Sequence, residues 1–239
     1  MKILHILNSD FGNANTMGYR SFQIYKYSSY SISAFCRNNL SEIVDKNIKK
    51  PFPFYREYSR FAQLMAMINK NILIFKKIEI FLFDYFAKKN IDSSDIVHFF
   101  HHSPELIKYA KSKNKVVILE AFTHPLYLEK MFNDGLKLDY NTFTPDLRSI
   151  ESFELTDFII SPSKWVTKTL LHATLKSDKI FEINYGVHFQ DDKINYDKDD
   201  KLSIVFAGGL KRTKGIIELL KAINKLPNLN IKVNIFGRM

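Results

Sequence analysis

Gly208, Gly209, Arg212 and Lys214 fall within one short stretch, LSIVFAGGLKRTKGIIELLKAI, between an apolar run and a helix-like segment. An apolar run without polar alternation reads as a strand covered on both faces. Gly208 and Gly209 let the backbone turn tightly or approach a bound group closely. The helix that follows offers free N–H groups and the positive end of its dipole, and Arg212 and Lys214 add charge. Backbone donors and cations converging on one small volume suit a phosphate or a diphosphate. Lys214 has a plain alternative as a solvated side chain. The dipole disfavours a cation at a helix start, however, and that tips the balance toward a ligand. Arg212 can grip phosphate oxygens with its planar fork or point to water, and both readings stand. Lys211 is a weaker candidate of the same kind.

His124 follows the run VVILEAF, at the C-terminal end of a strand, where open α/β sheets hold ligands. A capped loop histidine before Pro125 is the bland alternative. Gly12 and Gly18 compete for one role, a glycine turn after the first strand. The intervening GNANTMG is not GxGxxG, so the sequence carries no dinucleotide fingerprint and a Rossmann oxidoreductase is a poor fit. His98, His101 and His102 lie near Asp95, yet no acidic or cysteine partner has a metal-ligand spacing, so no metal is expected. Glu151 and Glu154 read as a solvated helix face, and Ser161 and Ser163 lack a nucleophile-elbow context. The single cysteine, Cys36, reads as a small buried hydrophobe.

These side chains need elements to position them. Short apolar runs alternate with helix-period segments, the signature of βαβ units and a parallel sheet. Strands are expected at residues 3–7, 30–36, 96–100, 116–121, 158–160, 180–184, 204–207 and 231–236. Helices are expected at 18–26, 57–68, 72–89, 104–111, 125–133, 145–154 and 164–172, three of them opening on proline. The charge-rich stretch QDDKINYDKDDK is the one clear composition shift and reads as an interdomain linker or a surface loop. The expected organisation is a Rossmann-like domain over residues 1–190, a linker over 191–201, and the first strand–helix–strand of a second such domain over 202–239. Two strands and a helix cannot bury both faces of their own sheet.

Several of these stretches, in this order, resemble family 4 of the retaining, nucleotide-sugar-dependent glycosyltransferases. They are MKILHILNSDFG, SSDIVHFFHH, VVILEAFTHP, LTDFIISPSKWVTKTL, KIFEINYGVHF and VFAGGLKRTKGIIELLKAI. The resemblance implies a GT-B fold, two Rossmann-like domains across a cleft. It implies transfer of a sugar, with retention, from a nucleotide-diphosphate sugar to a glycan or lipid-linked acceptor. It implies Lys214 at the donor diphosphate, His124 at the sugar or acceptor, a glycine turn near Gly12, and no metal or other cofactor. The family usually has Arg where this chain has Gly209, and a later donor segment with paired glutamates is expected beyond Met239. The chain therefore reads as C-terminally truncated, and a non-catalytic acceptor- or partner-binding module is the rival reading.

The chain has 239 residues and a formal net charge of +10, which favours phosphate-bearing partners. The charge is dispersed rather than gathered in a tail, which disfavours nucleic acid. The segment KNIKKPFPFYREYSR, opening at Lys46 and closing at Arg60, mixes cations with aromatic rings. It fits either an anionic membrane surface, reached together with the apolar helix after it, or a loop packed by its aromatics. No leader-like or membrane-spanning run is read, so the expected location is cytoplasmic, with the inner membrane face as the option that segment leaves open.

Overall fold

The computed structural model describes residues 1–13, 17–68, 74–121, 147–173, 175–186, 201–210, 214–227 and 229–237. They divide between two units. The described residues of the first run to Gly186, and those of the second begin at Lys201.

The first unit is built on a seven-stranded parallel sheet. Its strands are β1 (Lys2–Phe11), β2 (Ser31–Asn39), β3 (Ile48–Lys49), β4 (Ile96–Phe99), β5 (Val116–Glu120), β6 (Phe158–Ser161) and β7 (Ile180–Glu182). Their spatial order is β3-β2-β1-β4-β5-β6-β7. The chain runs outward from β1 to β3, then returns to β1's other side with β4. The order reverses between β1 and β4, the kind of switch point beyond whose carboxyl ends open α/β sheets hold ligands.

Helices are α1 (Met17–Tyr27), α2 (Tyr55–Ile68), α3 (Ile74–Ile91), α4 (Pro104–Ser112), α5 (Leu147–Leu155) and α6 (Lys164–His172). Pro104 opens α4 as its fixed φ predicts. Ser163 caps α6, its hydroxyl accepting from the Val166 N–H at 3.3 Å. The side-chain period of two sorts the strands into two faces. Leu4, Ile6, Val97, Phe99, Val117 and Leu119 pack with Tyr55, Phe83, Leu106 and Phe153 from α2 to α5. Leu7, Phe11, Cys36 and Phe100 pack with Phe22 of α1 on the other face. Cys36 is fully buried there, and burial pushes its thiol up to about 12, so it is an inert packing residue.

The second unit pairs β8 (Leu202–Ala207) in parallel with β9 (Ile231–Phe236), joined through α7 (Ile216–Asn224). None of its described residues is buried, the expected consequence of a two-stranded sheet with one helix.

Two expectations need correction. The first strand does not stop at residue 7 but continues to Phe11, despite the polar Asn8-Ser9-Asp10. A register shift between Leu7 and Asp10 re-aims the chain, and Asp10 is buried between two arginines described below. The segment from Lys46 to Arg60 holds the short edge strand β3, which was not expected, and the start of α2, two residues ahead of the expected helix at 57–68. The expected helix at residues 125–133 and nearly all of the linker lie outside the described residues.

Candidate functional site

Five buried or half-buried polar side chains meet on the α1 face of the first sheet, astride the reversal between β1 and β4. The alternation that sends Leu4, Ile6, Val97 and Leu119 to one core sends His5, His98 and Glu120 to the other. His5 and His98 sit opposite each other in the β1–β4 ladder, with their ring centroids 5.2 Å apart and edge to face. His5 Nδ1 lies 2.9 Å from the Ser21 hydroxyl of α1. Burial, and then the neighbouring His98, hold the His5 imidazole well below the usual histidine range, so it is neutral at pH 7.

Glu120 ends β5 with its carboxylate buried. Arg20 of α1 donates from Nε to Glu120 Oε2 at 2.8 Å. His98 Nε2 approaches Glu120 Oε1 to 3.2 Å without the alignment of a hydrogen bond, and neither atom has another partner among the described residues. Buried polar atoms left in this state cost free energy, and they concentrate where a ligand or proton is to be handled. The Arg20 guanidinium lies 4.6 Å from the centroid of the Tyr185 ring, which follows β7. Arg20 reaches Glu120 through Nε alone, so its terminal nitrogens remain without a partner among the described residues. A fixed carboxylate, an oriented guanidinium and two imidazoles make a hydrogen-bonding array at the carboxyl end of a sheet.

A second polar centre lies at the end of β1. Asp10 accepts from Arg37 Nε at 2.9 Å and from Arg56 Nε at 3.1 Å. One carboxylate set against two guanidiniums leaves a surplus positive charge, with both forks engaged only through Nε. Gly12 turns the chain directly after it. Its φ is +79°, and a Cβ there would stand 2.6 Å from Ser41 Cβ, so both conformation and space require glycine. The Gly12 N–H donates to the Gly18 carbonyl at 3.0 Å. The two competing glycines are thus partners: Gly12 makes the turn, and Gly18, buried at the start of α1, receives it.

In the second unit, Gly208 continues the ladder beyond β8, donating to the Phe236 carbonyl at 2.9 Å, and has φ of +155°. Gly209 follows, half-buried. Gly215 caps α7 with φ of +79°, a conformation open to glycine at little cost. Lys214 stands exposed immediately before it, at the positive end of the helix. His124, Lys211 and Arg212 lie outside the described residues.

Sequence reasoning missed Glu120, Arg20, Asp10, Arg37 and Arg56. The signal for Glu120 was present: an acid closing the run VVILE, in a strand covered on both faces, needs a partner when buried. Nothing local in the sequence points to Arg20, which lies on α1 far from that strand in the chain. Among the described residues no cluster of His, Cys, Asp and Glu could hold a metal ion.

No family model and no curated protein matches the sequence. Solved structures do match. The lipopolysaccharide outer core galactosyltransferase WaaB, in its apo form, aligns at TM-score 0.57 and 14% identity, over 100% of this chain and 61% of its own. Anabaena Alr3699/HepE, in complex with UDP and glucose, aligns at TM-score 0.52 and 9% identity, over 98% of this chain and 60% of its own. This chain thus spans less than two-thirds of the length of either structure. The likeness is one of architecture: a Rossmann-like α/β fold of the GT-B kind, with one parallel-sheet unit and part of a second.

Proposed function

We propose that this chain is part of a glycosyltransferase that moves a sugar from a nucleotide-diphosphate sugar to a glycan or lipid-linked acceptor, with retention at the anomeric carbon. The observation that carries the reading is the loop after β8. Gly208 and Gly215, both at positive φ, bracket it, and Lys214 stands at the N-terminus of α7. In this reading Gly208, Gly209, Arg212 and Lys214 receive the donor diphosphate. Transfer breaks the bond between the anomeric carbon and the diphosphate. The Lys214 ammonium and the helix dipole stabilise the charge that grows on the leaving phosphate. The first unit supplies the acceptor side, through His124, the Gly12 turn and the array around Glu120 and Arg20. No side chain is assigned as the base that deprotonates the acceptor.

Isothermal titration with UDP, GDP and ADP tests the donor site. A dissociation constant in roughly the micromolar range for one of the three supports it. Binding of none would remove the donor site and leave an acceptor- or partner-binding module.

A further inference from the structure

The outer face of the α2–α3 pair is apolar and uncovered. On α3, Ile74, Ile78, Phe81 and Tyr85 recur at alternating four- and three-residue steps, which places them on one stripe. They are 56%, 39%, 67% and 51% exposed. The opposite side of the same helix buries Glu79, Phe83, Ala87 and Ile91 in the core. At 100° per residue, Lys77 and Lys88 fall along one edge of the stripe and Lys89 along the other. Lys89 Nζ lies 5.3 Å over the Tyr85 ring. On α2, Phe61, Leu64 and Ile68 make a second exposed stripe, with Arg60 beside it. The Phe61 ring meets the Phe75 ring of α3 at 5.4 Å, where the two helices pack together.

The α2–α3 pair is tied to β1 from beneath. The buried Glu79 carboxylate accepts from Lys76 at 2.6 Å, Tyr55 at 2.8 Å, Ser59 at 3.1 Å and Asn8 of β1 at 3.1 Å. By contrast, most rings of the segment between Lys46 and Arg60 turn inward: Tyr55 is fully buried, Phe52 packs on the core, and Phe54 alone is strongly exposed.

We propose that the outer face of α2–α3 lies on an anionic lipid bilayer, with Ile74, Ile78, Phe81 and Tyr85 at the acyl boundary and Lys77, Lys89 and Arg60 on the lipid phosphates. The charge rim selects this occupant. The exposed charged side chains of the two helices are Arg60, Lys77 and Lys89, against one acid, Glu57. A second copy of the chain, packed through a two-fold axis, would set lysine rim against lysine rim. No described helix is long and apolar enough to cross a membrane, so the pair lies in the interface plane. The proposal stands apart from sugar transfer, since it needs no nucleotide.

Co-sedimentation of the full chain with phosphatidylcholine vesicles, with and without phosphatidylglycerol, tests it at low and high salt. The wild type should bind the anionic vesicles, and salt should weaken the binding. Lys77→Gln with Lys89→Gln should lower affinity about 30-fold, at roughly 1 kcal/mol per lysine. Ile78→Glu with Phe81→Glu should abolish binding while circular dichroism stays that of the folded chain. Equal binding to neutral vesicles, no binding at low salt, or unchanged binding by the double-glutamate variant overturns the proposal. So does a gel-filtration dimer that the double-glutamate variant splits, which assigns the face to a second copy. A chain that binds a nucleoside diphosphate but no vesicles refutes this inference and leaves the donor site standing.

Discussion

Glu120 Oε2 accepts a hydrogen bond from Arg20 Nε at 2.8 Å across 100 positions of sequence. The pair ties α1 to the carboxyl end of β5, over the place where the strand order reverses. Arg20 is held in turn above Tyr185, so three separate segments meet at one guanidinium. Removing one partner of a buried pair leaves an uncompensated charge. Glu120→Ala should therefore destabilise the chain by about 3–5 kcal/mol, and Glu120→Gln by less. Urea unfolding of the two variants beside wild type measures it. A loss below about 1 kcal/mol for Glu120→Ala would mean that water already compensates Arg20.

The fold was readable because the first sheet obeys its local rules. Runs such as VVILE lack polar alternation and become strands covered on both faces; α6 spans the expected residues 164–172, behind its Ser163 cap. The candidate site was far less readable. Gly12 and Gly18 could be picked out singly, but their hydrogen bond depends on how the chain turns between β1 and α1. Asp10 lay beyond the expected end of the first strand at residue 7; what keeps it inside is the pair Arg37 and Arg56, brought in from β2 and α2. Burying a carboxylate is decided by long-range neighbours, which no local pattern encodes.

Gly12→Ala tests whether the turn after β1 is fixed by sterics. The new Cβ would meet the Ser41 Cβ at 2.6 Å and its Cα and N at 2.8 Å, at a φ of +79°. Backbone cannot yield as a flexible side chain would. Strain at such a position costs about 1–3 kcal/mol before any clash is added. A thermal melt should fall by about 5 °C or more for a chain of this size. An unchanged melting temperature would show that the turn relaxes freely.

Asp84 gives a pH signature. It is nearly buried on α3, and burial raises its carboxyl to about 6, against the hydrogen bond from Ser103 at 3.2 Å and the nearby Arg148, which pull it down. The folded chain thus binds this proton more tightly than the unfolded chain. Stability from the protonated form is present below the ordinary carboxyl range and is lost as pH rises toward about 6. Asp84→Asn, always neutral, should match wild type near pH 4 and exceed it above pH 6, by at most about 3 kcal/mol. His101, lowered by burial to about 4, works in the opposite direction in both proteins and cancels in the difference. Denaturant unfolding at pH 4, 5, 6 and 7 reads the difference. A pH-independent gap would show that folding does not raise the Asp84 carboxyl.

Lys214 decides between a diphosphate site and an ordinary helix start. It is exposed on the second unit, so Lys214→Ala should leave the melting temperature unchanged. A hydrogen bond to a charged phosphate is worth about 1.5–3 kcal/mol, or roughly 10- to 150-fold in affinity. The loss should fall on the diphosphate and spare the base and ribose. Titration of wild type and Lys214→Ala with a nucleoside diphosphate and its monophosphate separates the two contributions. A selective drop for the diphosphate places the ammonium at the outer phosphate, where a leaving group would carry its charge. An equal drop for both ligands would move Lys214 toward the inner phosphate, and no drop for either would leave it a solvated side chain with no part in transfer.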